Sequence, residues 1–121
     1  MIEGTCHCGA VRVEVERAPE YLSECNCSIC RRLGNLWTPR YDDDEVHITG
    51  EDETFAYRWG DRMIAFHACR TCGVSTHYRA LAENDRTTRA TKINARIFDP
   101  QIIKDLRIRH FDGATSWEFL D

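Results

Sequence analysis

Three short clusters hold all seven cysteines of this 121-residue chain: Cys6-His7-Cys8, Cys25-Asn26-Cys27-Ser28-Ile29-Cys30 and Cys69-Arg70-Thr71-Cys72. Sulfurs one or two residues apart can converge on one ion, so each cluster is half or more of a metal site. A chain built this way must fold so that clusters far apart in sequence can meet. The count divides as four plus three. One closed tetrahedral zinc site and one three-ligand site with an open position would use every cysteine; the first kind holds a fold together and the second can do chemistry.

The bulk properties narrow the setting. A net charge of −4 and a pI near 5.7 argue against nucleic-acid binding by the whole surface. No apolar run approaches the roughly 20 residues of a membrane-spanning helix. Met1-Ile2-Glu3-Gly4-Thr5 has neither a basic start nor an apolar stretch, so no signal peptide is read and a cytoplasmic protein is expected. In a reducing cytosol, closely spaced thiols serve as metal ligands or redox groups rather than disulfides, and an odd total leaves one thiol over in any all-disulfide scheme. The length predicts a single domain over residues 1–121.

The patterning predicts a mainly β fold. Ala10 to Glu16 alternates with period two and puts Val11, Val13 and Val15 on one face, and Glu45 to Thr49 repeats the alternation. Thr54 to Trp59 places Phe55, Tyr57 and Trp59 together, and Gly60-Asp61 reads as a hairpin turn into the apolar run Arg62 to His67. Further strands are expected at Val74–Tyr78, around Arg89–Ile97 and at Leu106–Phe111. Ser28 is expected to cap a short helix stopped by Gly34, and Asp99-Pro100 to open another through Leu106. The acidic run Asp42 to Glu45 reads as a solvated loop.

On an extended strand Cys6 and Cys8 would point to the same side, and Cys69-x-x-Cys72 followed by Gly73 reads as a knuckle whose glycine tolerates unusual backbone angles. Together they could close a four-sulfur site that staples the N-terminal strand to the middle of the chain, as zinc, as an iron–sulfur cluster, or with Cys69 and Cys72 as a redox pair. Cys25, Cys27 and Cys30 leave a fourth position for water, a substrate, or one of His7, His67 and His77. Charge favours a particular occupant. Three thiolates over-neutralise a dication and make it a soft, weak Lewis acid, poor at generating hydroxide and well suited to holding another thiolate. A thiol is the fourth ligand that chemistry prefers.

The segments Gly4-Thr5-Cys6-His7-Cys8-Gly9-Ala10-Val11, Cys25 to Arg32, Phe66-His67-Ala68-Cys69-Arg70-Thr71-Cys72-Gly73, and the later Ile93-Asn94 with Phe98-Asp99-Pro100 together resemble the glutathione-dependent formaldehyde-activating enzyme family, which also includes centromere protein V. The likeness spans nearly the whole chain, and the ordered triple of motifs is specific. It implies a β-tent fold of small antiparallel sheets stapled by a structural zinc on Cys6, Cys8, Cys69 and Cys72. It implies a catalytic zinc on Cys25, Cys27 and Cys30, and a carbon–sulfur lyase that joins glutathione to formaldehyde as S-hydroxymethylglutathione. Arg31 and Arg32, directly after the site, could pair with glutathione carboxylates. Asn26 departs from the pattern, standing where many members have histidine.

The alternative class is a non-catalytic zinc-binding β-tent module for protein interaction. Four protein ligands on the middle metal would favour the module, and an exchangeable occupant the enzyme. An open-site enzyme on another thiol adduct is a third reading, since fold does not settle substrate. His67 and His77 are expected to be packed or hydrogen-bonded, and His47 and His110 structural. Gly34 to Pro39 could wall a substrate pocket, and Trp37, Trp59 and Trp117 are expected in core or pocket walls rather than as platforms for bases. A small-molecule thiol is the expected partner, with no nucleic acid and no membrane.

Overall fold

The structure, a computed structural model, describes residues 1–81 and 90–121. Its strands are short: β1 (Ile2–Thr5), β2 (Arg12–Val15), β3 (Leu22–Cys25), β4 (Val46–Thr49), β5 (Thr54–Tyr57), β6 (Ile64–Cys69), β7 (Ser75–Ala80), β8 (Thr91–Ile93) and β9 (Ile108–Phe111). Two brief α-helices accompany them, α1 (Ser28–Leu33) and α2 (Pro100–Ile103). The fold is mainly β.

Three small sheets are present among the described residues. The first has the order β1-β2-β4 and the second β5-β6-β7-β8, both antiparallel throughout. The third departs from an all-antiparallel expectation, because β3 and β9 run parallel, with Cys25 opposite Phe111. Parallel neighbours need a long crossover, and here most of the chain separates the two strands. Residues 35–41 tie the sheets together: Trp37 bridges both Ser23 and Asn94, and Tyr41 bridges Thr91.

The period-two pattern of β2 acts as read. Val13 and Val15 are fully buried and meet Leu22, Leu36, Tyr41, Ile93 and Phe98, with Ile102, Ile103 and Leu106 packed over them. Asp99 caps α2 by accepting from the Gln101 amide, and Pro100 occupies the first turn. The helix is shorter than expected, ending at Ile103, and a single turn bonds the Leu106 amide to the Ile103 carbonyl.

Local differences from expectation have local causes. Cys27, not Ser28, caps α1, its sulfur accepting from the Cys30 amide; Gly34 closes the other end. Gly60 and Asp61 do sit at the centre of a tight turn, with the Arg62 amide on the Trp59 carbonyl. However, Phe55, Tyr57 and Trp59 are exposed, the first two on β5 at the edge of its sheet and Trp59 just after it. The acidic run is partly ordered as a 3-10 turn over Asp43–Glu45, with the Glu45 carboxylate accepting from the Asp42 amide. The strand expected around Arg89–Ile97 is β8 alone. Arg89 lies outside the described residues, and the Asn94 side chain accepts from the Arg96 amide to start a 3-10 turn over Ala95–Ile97.

Candidate functional site

None of the seven cysteines is in a disulfide, and they gather as four and three. Sulfurs of Cys6, Cys8, Cys69 and Cys72 lie within 4.8 Å of one another. Cys6 and Cys8 are not on an extended strand. β1 ends at Thr5, and the chain turns so that the Gly9 amide bonds the Cys6 carbonyl and the Val11 amide bonds the Cys6 sulfur. The same construction recurs at Cys69, where the Gly73 amide bonds its carbonyl and Gly73 adopts φ 79, a conformation open to glycine. Two hairpin tips thus face each other.

The separations suit zinc. Zinc–sulfur bonds of about 2.3 Å in a tetrahedron put sulfurs roughly 3.8 Å apart. Cys6 and Cys8 are 3.7 Å apart, and Cys8 and Cys69 are 3.6 Å apart. Backbone amides of Cys8 and Val74 lower the Cys72 thiol to about 6, so it readily becomes a thiolate.

The second group is Cys25, Cys27 and Cys30, also mutually within 4.8 Å. Cys25 ends β3, Cys27 caps α1, and Cys30 is buried in the first turn of that helix. A hydrogen bond from the Cys30 thiol, aided by the Cys27 and Gly113 amides, draws Cys25 down to about 6. The bond to Cys25 and burial push Cys30 up. Among the described residues, no histidine or carboxylate joins these three sulfurs at ligand distance.

The histidines weighed as a fourth ligand lie elsewhere. His67 and His77 stack with centroids 4.3 Å apart and planes 13° from parallel, and they group with Glu51. The Glu51 carboxylate only accepts, so His77 Nε2–H donates to it at 2.6 Å, and Arg79 donates to the same oxygen at 2.7 Å. His77 Nδ1 then accepts from the Thr76 hydroxyl, while Thr54 donates to the Glu51 carbonyl and accepts from His67 Nδ1–H. Burial lowers both histidines, His67 to about 4, and keeps them neutral. Glu51 is lowered to about 2 by the His77 bond and Arg79. This network pins the 3-10 turn Glu51–Glu53 against β6 and β7. His7 is exposed.

A cavity of about 570 Å³ opens above Cys25, Cys27 and Cys30. Trp37 and Pro39 form part of its wall, as the Gly34 to Pro39 stretch suggests, and Phe66 and Tyr78 stand as a cross-strand pair beside them. Trp37 packs edge-on against Tyr78 with centroids 4.8 Å apart. Two cations, Arg40 and Lys92, also line the cavity, and no acidic side chain does among the described residues. Burial and Arg40 lower the Lys92 ammonium, while the charges of Cys25 and Cys30 hold it up. Arg31 and Arg32 are exposed on α1 and do not line the cavity; the Arg32 guanidinium bonds the Ser28 carbonyl.

Sequence reasoning missed the contribution of the C-terminus. Parallel pairing of β9 with β3 carries residues 112 and 113 over the cysteine loop. There Asn26 Nδ2 donates to Asp112 at 3.0 Å, and the Ala114 amide donates to Asn26 Oδ1 at 3.0 Å. A Cβ on Gly113 would stand 2.6 Å from the Cys25 sulfur, so only glycine allows this approach. No spacing rule links Asn26 to a partner 86 residues away. The one available signal was the departure of Asn26 itself.

A crystal structure of a Rhodobacter sphaeroides protein is similar over 88% of this chain and 99% of its own, with a TM-score of 0.71 and 26% identity. A Halomonas elongata protein carrying the name "Putative glutathione-dependent formaldehyde-activating enzyme" is 36% identical over an alignment of 63 residues that covers 48% of this chain and 40% of that relative's length. The model of the family described as glutathione-dependent formaldehyde-activating enzyme matches residues 1–108, taking in all three cysteine clusters, the cations Arg40 and Lys92, and the Trp37 wall. This chain belongs to the glutathione-dependent formaldehyde-activating enzyme family.

Proposed function

We propose that this protein is a zinc-dependent carbon–sulfur lyase that joins glutathione, or a similar thiol, to formaldehyde or a related small electrophile, giving S-hydroxymethylglutathione in the first case. The observation that carries the reading is the three-sulfur group at the base of a cavity with no fourth donor among the described residues. Cys6, Cys8, Cys69 and Cys72 would hold a structural zinc that clasps two hairpin tips. Zinc on Cys25, Cys27 and Cys30 would keep a substrate thiol deprotonated as its fourth donor.

The chain's own groups supply the rest. Four thiolates around a dication would carry two net negative charges, and the cations Arg40 and Lys92 of the cavity wall would offset them. The substrate sulfur attacks the carbonyl carbon, a carbon–sulfur bond forms, and the carbonyl π pair moves to oxygen. Lys92 Nζ, held in the same cavity with its ammonium acidified by burial, gives that oxygen a proton. The thiol's own proton, released on binding, restores the charge, so nothing is oxidised or reduced. Arg31 and Arg32 would meet glutathione carboxylates outside the cavity on α1.

The test is exchange spectroscopy on glutathione and 13C-formaldehyde with the zinc-loaded protein. S-hydroxymethylglutathione is expected to form and exchange faster than in buffer, and Cys27→Ser is expected to abolish the gain while keeping one zinc. An unaltered exchange rate with fully loaded wild type would refute the assignment.

A further inference from the structure

The family match stops at residue 108, yet four of the cavity's lining residues, Phe111, Gly113, Trp117 and Phe119, come after it. This last segment is an organised wall. Phe111 meets Trp117 edge-on at 5.5 Å and 88°, and Phe119 at 5.1 Å and 71°, while Tyr21 closes on Phe119 from the other side at 6.2 Å. The segment is locked to the cysteine loop through Asn26, Asp112 and Ala114. Asp112 also accepts from the Ser116 amide and hydroxyl, and its carbonyl accepts from the Trp117 amide. Trp117 is held at φ 60, a left-handed conformation that a bulky side chain adopts only when its surroundings impose it.

A second part of the lining is aromatic as well, formed by Trp37, Phe66 and Tyr78 packed on one another. The aromatic part of this interior matches neither proposed substrate. Formaldehyde offers one carbon and no apolar surface. Glutathione is a tripeptide with two carboxylates and one ammonium; Arg40 and Lys92 at the cavity wall, and exposed Arg31 and Arg32 outside it, offer its carboxylates partners, and none of these contacts uses the aromatic faces. With the tripeptide's carboxylates on those cations, the aromatic faces are left to the carbonyl partner.

We infer that the electrophile at this site is an aldehyde bearing an aromatic ring or a comparably large apolar group, and that the Phe111–Phe119 segment selects it. The inference rests on the thiol-addition reading above. The reaction balances in the same way: thiol sulfur adds to the aldehyde carbon, the oxygen gains a proton, and a thiohemiacetal results with no change in oxidation state.

The experiment compares phenylacetaldehyde with formaldehyde, each with glutathione and the zinc-loaded full chain, by exchange spectroscopy. The expected result is a higher kcat/KM for phenylacetaldehyde. That preference should fall about tenfold in Trp117→Ala and in the milder Phe119→Leu, at unchanged zinc content. Acceleration of formaldehyde with none for phenylacetaldehyde overturns this inference and leaves the thiol-addition reading standing, as does a preference that neither variant alters. Faster turnover of phenylmethanethiol with formaldehyde than of glutathione with phenylacetaldehyde moves the apolar group to the thiol and overturns it too. No acceleration of any pair removes the thiol-addition reading itself.

Discussion

Gly113 and Asn26 show how much of the middle site depends on residues that bind no metal. Any side chain at position 113 would displace the Cys25 sulfur or push β9 away from β3. Gly113→Ala is therefore expected to weaken zinc at Cys25, Cys27 and Cys30 by about 10- to 100-fold in chelator competition, the usual cost of disturbing a ligand's support, while the paired site keeps its zinc. Equal affinity in wild type and variant would contradict this. The cysteine grouping was legible from sequence because short spacings govern which sulfurs can converge. The supporting contacts were not, since they arise only when β9 returns to β3. At Cys6 and Cys8 a turn replaces the expected strand, and it still brings both sulfurs near those of Cys69 and Cys72.

At the scale of elements, the sheets follow from alternation in β2 and β4, and the caps Asp99 and Gly34 from local chemistry. The parallel β3–β9 pair and the exposed aromatics of β5 depend on which strand becomes a neighbour or an edge, which alternation does not encode. The Glu51 network holds the four-stranded sheet in a comparable nonlocal way. Glu51→Gln should cost about 1–3 kcal/mol, because fully buried His77 and half-buried Arg79 lose a charged acceptor. The carboxyl is lowered from 4.5 to about 2 in the fold, so its stabilisation is present above pH 4.5 and lost as pH falls toward 2. The gap in thermal midpoint between wild type and Glu51→Gln is expected to be full at pH 7 and to close on that descent. A gap of equal size near pH 2 would count against the network. Asn26→Ala should speed amide exchange at Ala114 and its neighbours, because their tie to the cysteine loop is lost; unchanged protection there would show that the segment is held some other way.

Across the whole molecule, the proposed function would have two cysteine groups of unequal kind divide stability from chemistry. The paired cysteines join the β1–β2 tip to the β6–β7 tip, so Cys69→Ser is expected to lower the thermal midpoint by more than about 10 °C. Cys30→Ser acts within one helix and its adjoining strand, so a smaller shift with loss of thiol addition is expected; the reverse order of effects would interchange the two roles. If zinc on the three-cysteine group keeps one position open to a thiol, as proposed, X-ray absorption at the zinc edge of the fully loaded chain tests it most directly. Two zinc ions per chain with about 3.5 sulfurs per zinc on average should rise to about 4 when millimolar glutathione is added. A sulfur count that stays unchanged under that thiol would contradict the account.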